Sequence, residues 1–346
     1  MLAPLRFSFL AILLAVLLTA ALASTPTSPF PCTGGSVYFT AHTVDGLLFQ
    51  NPDLLRDLFV FKCVTTVVFN ADTGGEAANG TRMLQLERGL EAAYWNMSGL
   101  ASSSSAAAAV TATTVQIGKY NISASPILGL ENAQILYLRL PESSTFYGQG
   151  YQAYGKETLK KLYSADISAI SSTDGRNRYT VTELKDVVAT ILRFRRAKDI
   201  RVLDYADSFS VTDTDDVQLE HADRVASAKI VVDVVREEGI PGTVKGYVET
   251  NDDDDDGDDD DDNDGVLMRS SYACDALRNL KNNLHTPDYI KKLAAFFVYA
   301  RHDPDMCQSL QECGDRLRKI NAYTDDYYEG NHIYEFLKRE YYASPA

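Results

Sequence analysis

The 346-residue sequence lacks most of the short motifs that mark enzymes and nucleic-acid-binding proteins. It has only five histidines, none of them spaced as His-x-x-x-His, and it contains neither a Gly-x-Ser-x-Gly motif nor a Gly-rich phosphate-binding loop. No cluster of Lys and Arg supplies the positive surface that binding to a phosphate backbone requires. These absences argue against a serine hydrolase of the nucleophile-elbow type, and they exclude nucleic acid from the expected partners.

The formal charge of −15 comes mainly from one tract. Residues 252–264 contain 11 aspartates, and without them the chain carries a charge of only −4. The tract begins like an EF-hand loop, with Asp at alternate positions before Gly257, but Asn263 stands at the twelfth position, where a glutamate ligand is usual. A run of aspartates satisfies this pattern by composition alone. The tract therefore favours a self-repelling, disordered loop that binds divalent cations loosely.

The N-terminus predicts a signal peptide at residues 1–23. Arg6 precedes an apolar run at residues 7–18, and Ala-Leu-Ala at 21–23 is a cleavage signal, so Ser24 is the expected start of the mature chain. A membrane anchor is the alternative, but this run is shorter than the ~20 residues of a spanning helix. No later stretch is long enough to span, and the C-terminus lacks the apolar tail of a GPI signal. We expect a secreted protein of the secretory pathway, with the ER lumen as the alternative location.

The cysteines and sequons agree with an oxidising compartment. Most of the five cysteines should pair there. Cys307 and Cys313 suit a local bridge, Cys32 and Cys63 could join across the first strand–helix unit, and Cys274 would then be left over. Three Asn-x-Ser/Thr sequons predict N-glycosylation at Asn79, Asn96 and Asn121.

Strand-like and helix-like segments alternate along most of the chain. Apolar, β-branched runs predict strands at residues 37–41, 65–69, 134–140 and 200–203. Helical patterns cover residues 51–61, 83–97, 180–196 and 219–238, the third opened by a capping box from Thr180 to Glu183. This alternation predicts an α/β fold with a mostly parallel sheet and helices on both faces.

One main domain is expected over residues 24–342. The Asp-rich insertion at 251–265 interrupts it, and residues 266–342 form a C-terminal helical extension in which Thr286-Pro287-Asp288 is a good helix start.

The residues most suggestive of chemistry follow the first predicted strand. That strand runs into Ala41-His42-Thr43-Val44-Asp45-Gly46, and ligands bind at the carboxyl ends of strands in a parallel sheet. His42 and Asp45 could therefore both reach one metal ion. Taken alone, such a pattern more often marks a capping or hydrogen-bonded pair.

The order of several segments gives this motif a context. In order, they are AHTVDGLLFQNPDLL from residue 41, CVTTVVFNADTGG from 63, LERGLEAAYWNMSG from 86, LRLPESSTFYGQGY from 138, VLDYADSF from 202 and EHADRVASAK from 220. Together they resemble the LmbE-like, GlcNAc-phosphatidylinositol de-N-acetylase family, and in particular its secreted fungal-type members. The resemblance covers roughly residues 36–342, most of the mature chain.

The resemblance implies a Rossmann-like fold and a zinc-dependent hydrolase that removes acetyl from an N-acetylated sugar or glycolipid. It makes His42 and Asp45 metal ligands, position 44 the general base, and position 224, the second His of an H-x-D-H motif, the third ligand. This chemistry is sensible, because three protein ligands leave one position for water. The metal lowers the pKa of that water, and a carboxylate takes its proton.

The sequence departs from the family pattern at the positions that matter. Val44 cannot accept a proton, and Arg224 places a guanidinium, which does not bind zinc, where the third ligand should be. We expect a degenerate site in which Arg224 occupies the metal position and pairs with Asp45 or Asp223. The alternatives are His221 as the third ligand, or Glu220 with His221 as a shifted ligand pair.

Glu87 matches a helix glutamate of the family, but Leu86 stands where an arginine usually precedes it. Arg82 and Arg88 are the candidates to replace that arginine. Glu87, Asp223 and Arg224 are thus the expected pocket residues.

Three functions remain in view, because fold does not establish function. The first is a de-N-acetylase with weak or lost activity, and the second is a non-catalytic, secreted glycan-binding pseudoenzyme. The third is an interaction protein in which the acidic tract has the main role.

Overall fold

The computed structural model describes residues 28–76, 80–100, 112–127, 129–145, 147–209, 220–248, 286–323, 333–338 and 341–345. The predicted signal peptide, Asn79, Cys274 and the Asp-rich insertion lie outside these ranges. The chain divides after Phe30, and everything below concerns the unit Pro31–Ala346.

One mixed sheet of eight strands carries the fold. Its strands are β1 (Ser36–Thr40), β2 (Val64–Asn70), β3 (Thr113–Ile117), β4 (Tyr120–Ile127), β5 (Leu130–Leu140), β8 (Asp199–Val202), β9 (Thr243–Val248) and β10 (Tyr342–Pro345). They lie in the order β10-β9-β8-β1-β2-β5-β4-β3, and a separate small hairpin pairs β6 (Ile170–Ser171) with β7 (Arg178–Tyr179).

The central strands of the sheet are parallel. β9, β8, β1, β2 and β5 run in one direction, with Val37 beside Thr65 and Val67 beside Leu136. Every residue of β1 and β2 is buried, as the β-branched sequence of a strand covered on both faces requires. The predicted α/β fold with a mostly parallel sheet is confirmed, and it is consistent with a Rossmann-like arrangement.

The helices are α1 (Asp45–Leu48), α2 (Asp53–Phe59), α3 (Thr81–Met97), α4 (Leu159–Tyr163), α5 (Val181–Arg195), α6 (Ala222–Glu237), α7 (Thr286–Ala300), α8 (Leu310–Tyr323) and α9 (Ile333–Leu337). The predicted capping box opens α5, where Thr180 Oγ1 accepts from the Glu183 backbone N–H and Glu183 Oε2 accepts from that of Thr180. No helix in the described part of the chain is long and apolar enough to cross a membrane.

Six strands were not predicted, namely β3, β4, β9 and β10 of the large sheet and the small pair β6 and β7. β3 and β4 form a hairpin beside β5, turned at Gly118 in the left-handed region with φ 58°. The described residues of the C-terminal extension form α7, α8 and α9, and the chain then forms β10, which pairs antiparallel with β9 at the edge of the sheet. An edge strand tolerates Pro345 because one side of it needs no ladder hydrogen bonds.

Both expected disulfides are present, Cys32–Cys63 and Cys307–Cys313. The fully buried Arg195, the last residue of α5, lies beside the Cys32–Cys63 disulfide. Its guanidinium donates to the carbonyls of Cys32, Gly34 and Cys63, and Nε donates to Thr65 Oγ1 at 2.7 Å. No described carboxylate lies within 4 Å of it, and burial lowers the pKa of Arg195 to about 10.

The two described sequons differ in setting. Asn121 is exposed on β4, whereas Asn96 is half-buried in the last turn of α3 beside the buried Ser98.

The topology brings four chain segments to one end of the sheet. The loops after β1, β2 and β5 all leave the carboxyl edge of neighbouring parallel strands, and the N-terminus of α6 lies beside them. α7 packs on α3 and contributes Tyr299 to the same place. This convergence defines the candidate site.

Candidate functional site

The turn after β1 is closed by its own aspartate. Asp45 is fully buried, and its Oδ2 accepts from the backbone N–H of His42 at 2.6 Å. The His42 ring lies beside it, with Nδ1 3.5 Å from the same oxygen. The sequence therefore folds locally as a capped turn, the bland interpretation of the His-x-x-Asp pattern.

Arg224 fills the other side of Asp45. Its Nε donates to Asp45 Oδ1 at 2.8 Å, and Nη1 donates to Glu220 Oε1 at 2.9 Å. The guanidinium also lies over the ring of Phe49, 4.5 Å from its centroid. Burial alone would raise the pKa of Asp45, but the charges of Arg224 and His42 hold it well below the usual range. The expected pairing of Arg224 with Asp45 is thus present.

Asp223 does not pair with Arg224. Its two carboxylate oxygens accept from the Ser143 backbone N–H at 2.7 Å and from Ser143 Oγ at 2.8 Å, in the loop after β5. His42 Nε2 lies 3.6 Å from Asp223 Oδ2. Asp223 is a fully buried support behind His42 rather than a pocket-lining residue.

His42 is held between two carboxylates. Burial would lower its pKa, but the charges of Asp45 and Asp72 and the contact with Asp223 raise the pKa well above the usual value. The ring meets that of His221 edge-on, with centroids 4.8 Å apart. His221 is the N-cap of α6, and its Nδ1 accepts from the Asp223 backbone N–H.

The sequence did not single out two carboxyl groups of the site, those of Asp72 and Glu142. Asp72, after β2, accepts at Oδ2 from the backbone N–H and the hydroxyl of Thr43, at 2.8 and 2.7 Å. Burial and the nearby charge of Glu142 raise the pKa of Asp72 to about 7, against the opposing effect of His42 and the Thr43 bonds. The available signal was their position, directly after strands β2 and β5 at the ligand-binding edge of a parallel sheet.

Glu87 was expected to line the pocket, but it does not. Its carboxylate forms a two-point pair with Arg139 of β5, Nε–Oε1 and Nη2–Oε2 both 2.7 Å, with both side chains buried. Arg82 instead pairs with Asp303 and Asp305. Glu87 does not border the cavity, because Arg139 draws it toward the sheet. The arginine that pairs with Glu87 therefore comes from strand β5 and not from α3.

A cavity of about 230 Å³ opens over this end of the sheet. It is bordered by charged groups from every converging segment and by two tyrosines. The lining residues are His42, Val44, Asp72, Gly74, Arg82, Leu86, Glu142, Tyr151, His221, Arg224, Tyr299, Asp303, Met306 and Ile333.

The residues do not fit the zinc ion that the family pattern implies. Both oxygens of Asp45 are engaged, by His42 N–H and by Arg224, and a fixed guanidinium repels a second cation beside it. A different set, His42, His221 and Asp223, has ligand atoms within 4.8 Å of one another. Zinc bonds of about 2.0–2.1 Å require closer spacing, and Asp223 and His221 already hold Ser143 and the helix cap.

Comparison with known proteins assigns no family to the chain. No family model matches it, and no curated protein matches it significantly.

Proposed function

We propose that this chain is a secreted relative of the metal-dependent de-N-acetylases in which Arg224 has replaced the metal. Hydrolysis of an N-acetylated sugar is then weak or lost, and the cavity serves as a binding site for a glucosamine-type sugar, free or in a glycolipid headgroup. The observation that carries this proposal is the buried Arg224–Asp45 pair. The two disulfides support passage through the secretory pathway.

The chemistry of the replaced positions supports loss of activity. Val44 borders the cavity where the resemblance requires a general base, and general-base catalysis contributes about 10²–10⁴-fold. Arg224 has no lone pair to offer a metal, so polarisation of an amide carbonyl is lost as well. Both losses affect the attack of water on the amide carbonyl, and neither change offsets the other.

The cavity supports a sugar as the ligand. Its volume of about 230 Å³ lies below the ~300–1,000 Å³ typical of pockets for drug-sized ligands, so a single sugar ring is the appropriate size. Tyr151 offers aromatic surface at the cavity, and Asp72 and Glu142 offer acceptors for sugar hydroxyls.

The direct test combines metal content with acetate release. The protein is purified, exposed to one equivalent of zinc, and washed, and zinc is measured by elemental analysis. Acetate release from methyl N-acetylglucosaminide is measured on the same sample. We expect no bound zinc and no acetate above the buffer control. Zinc at one ion per chain together with acetate release would overturn the proposal.

A second test restores the family residues. Val44→Asp and Arg224→His are combined, with each single variant and the exposed Arg193→His as matched controls. If the interpretation of positions 44 and 224 is right, the double variant gains zinc binding and acetate release while the controls do not. A double variant that folds but stays silent would refute that interpretation.

One observation favours a second candidate, a rearranged metal-dependent hydrolase. His42, His221 and Asp223 form the one group of three metal-binding side chains found close together in the described residues. In this case zinc binds the unmodified protein and is lost in His221→Ala. The same metal analysis therefore separates the two candidates.

A further inference from the structure

The acidic wall of the cavity makes no ion pair within the described residues. We define it as Asp72 and Glu142, which follow β2 and β5. Glu142 is 5% exposed, and its Oε1 accepts from Thr73 Oγ1 at 2.9 Å and from the Gly74 backbone N–H at 2.7 Å. Its Oε2 is buried and has no hydrogen-bond partner among the described residues. A buried carboxylate oxygen without a donor carries a substantial desolvation penalty.

The basic groups around the cavity are engaged elsewhere. Arg224 pairs with Asp45 and Glu220, and Arg82 pairs with Asp303 and Asp305. His42 makes its ion pairs with Asp45 and Asp223. Within the described ranges, no Lys, Arg or His lies within 4 Å of either carboxyl of the acidic wall. The acidic wall therefore makes no close ion pair there, and the charge of His42 acts on Asp72 only from beyond 4 Å.

A complementary donor stands next to the acidic wall. Arg82 lies over Gly74, with its Cδ and Nε 3.3 Å from the point that a Cβ of Gly74 would occupy. Arg82 Nε is buried and makes no hydrogen bond within the described part of the chain. Gly74 also donates to Glu142, so an unsatisfied acceptor and an unsatisfied donor flank one glycine. A ligand that carries both a cation and a hydroxyl matches this pair.

We infer that the cavity selects a sugar with a free, protonated amine over the corresponding N-acetylated sugar, the ammonium facing the acidic wall and a hydroxyl facing Arg82. An ammonium brings three donors and a positive charge. An acetamide brings one N–H donor, no charge and a carbonyl that needs a donor of its own. This inference rests on the proposed function and names the ligand class of the same cavity.

The test compares three ligands that differ only at the second carbon. The methyl glycosides of glucosamine, N-acetylglucosamine and glucose are titrated into the secreted protein by calorimetry at pH 7.0, near the pKa of about 7 of Asp72. Hydrogen bonds to charged groups contribute about 1.5–3 kcal/mol, so we expect the amine to bind about 10- to 100-fold tighter than the acetamide. Tighter or equal binding of the acetamide would overturn the inference and leave the proposed glycan-binding function standing.

Two variants test whether the acidic wall causes the preference for the amine. Glu142→Gln keeps an acceptor for Thr73 and Gly74 but removes the charge, and the amine preference should fall to a few-fold or less. Glu131→Gln is the matched control, because Glu131 is exposed at the opposite end of the same strand β5. Asp72→Asn provides a second variant if Glu142→Gln does not fold. A preference unchanged in folded Glu142→Gln and Asp72→Asn would refute the acidic wall as its cause. Absence of binding by all three sugars would refute the proposed function itself.

Discussion

Removal of the Arg224 guanidinium should show how much the stability of the fold depends on this group. Arg224→Met keeps the apolar stem but leaves Asp45 buried, ionised and without its strongest partner. Breaking a buried pair in this way costs about 3–5 kcal/mol. His42 still faces Asp45 and donates to it through its backbone N–H, which favours the lower end of that range. Loss of the contact with Phe49 adds about 0.5–1 kcal/mol, so we expect a total of about 4 kcal/mol.

The assay is urea unfolding, followed by the fluorescence of the single tryptophan, Trp95, and by circular dichroism. With m-values of about 1–3 kcal/mol per molar urea, the midpoint should fall by at least about 1 M. Arg193→Met is the matched control, because it removes an exposed pair with Glu238 whose contribution is about 0–1 kcal/mol.

A double variant separates charge from packing. Asp45→Asn added to Arg224→Met removes both members of the pair, and most of the lost stability should return. If Arg224→Met lowers stability by less than about 1 kcal/mol, or if the second change restores nothing, the guanidinium does not act as the counter-charge of Asp45.

Three further predictions follow from the described contacts. The folded-state pKa of Asp72 is raised to about 7. Stability should therefore fall by up to about 4 kcal/mol as the pH rises from about 4 to 7, and level off above pH 7. Asp72→Asn should remove this pH dependence, measured by thermal unfolding. Arg195→Lys cannot reach all four of its acceptors and should lower the free energy of unfolding by about 2–4 kcal/mol, measured in urea. After expression in a glycosylating host, Asn121→Gln should remove a glycan detectable by mass spectrometry, whereas Asn96→Gln should not, because Asn96 is half-buried within α3.

The sequence predicted those parts of the fold that local pattern determines. The β-branched run at β2 and the capping box at Thr180 are local signals, and both appear in the structure where expected. The hairpin of β3 and β4 carried no comparable signal, because its strands pair antiparallel and Pro126 weakens the strand pattern of β4. Strand β10 is set by a long-range pairing with β9, which spacing along the chain does not reveal.

The candidate site was predictable to the extent that it follows β1 and opens α6. His42, Asp45 and Arg224 lie on segments that the sequence predicted to meet at one site, and the structure brings them together. Arg139 as the partner of Glu87 depends on how α3 packs against β5, and the closeness of Asp72 and Glu142 depends on the register of β2 with β5. Such relations arise from packing across the sheet, so no motif carries them.

The buried position of Arg224 determines whether the pocket depends on a metal taken from its surroundings. A metal ion is acquired after synthesis and can be withheld, exchanged or chelated. An arginine is covalently part of the chain, and its guanidinium stays charged at every physiological pH. The cation beside Asp45 is therefore supplied at translation, and neither zinc starvation nor acidification of a compartment can remove it. A protein built in this way has a pocket whose shape does not depend on the supply of a metal.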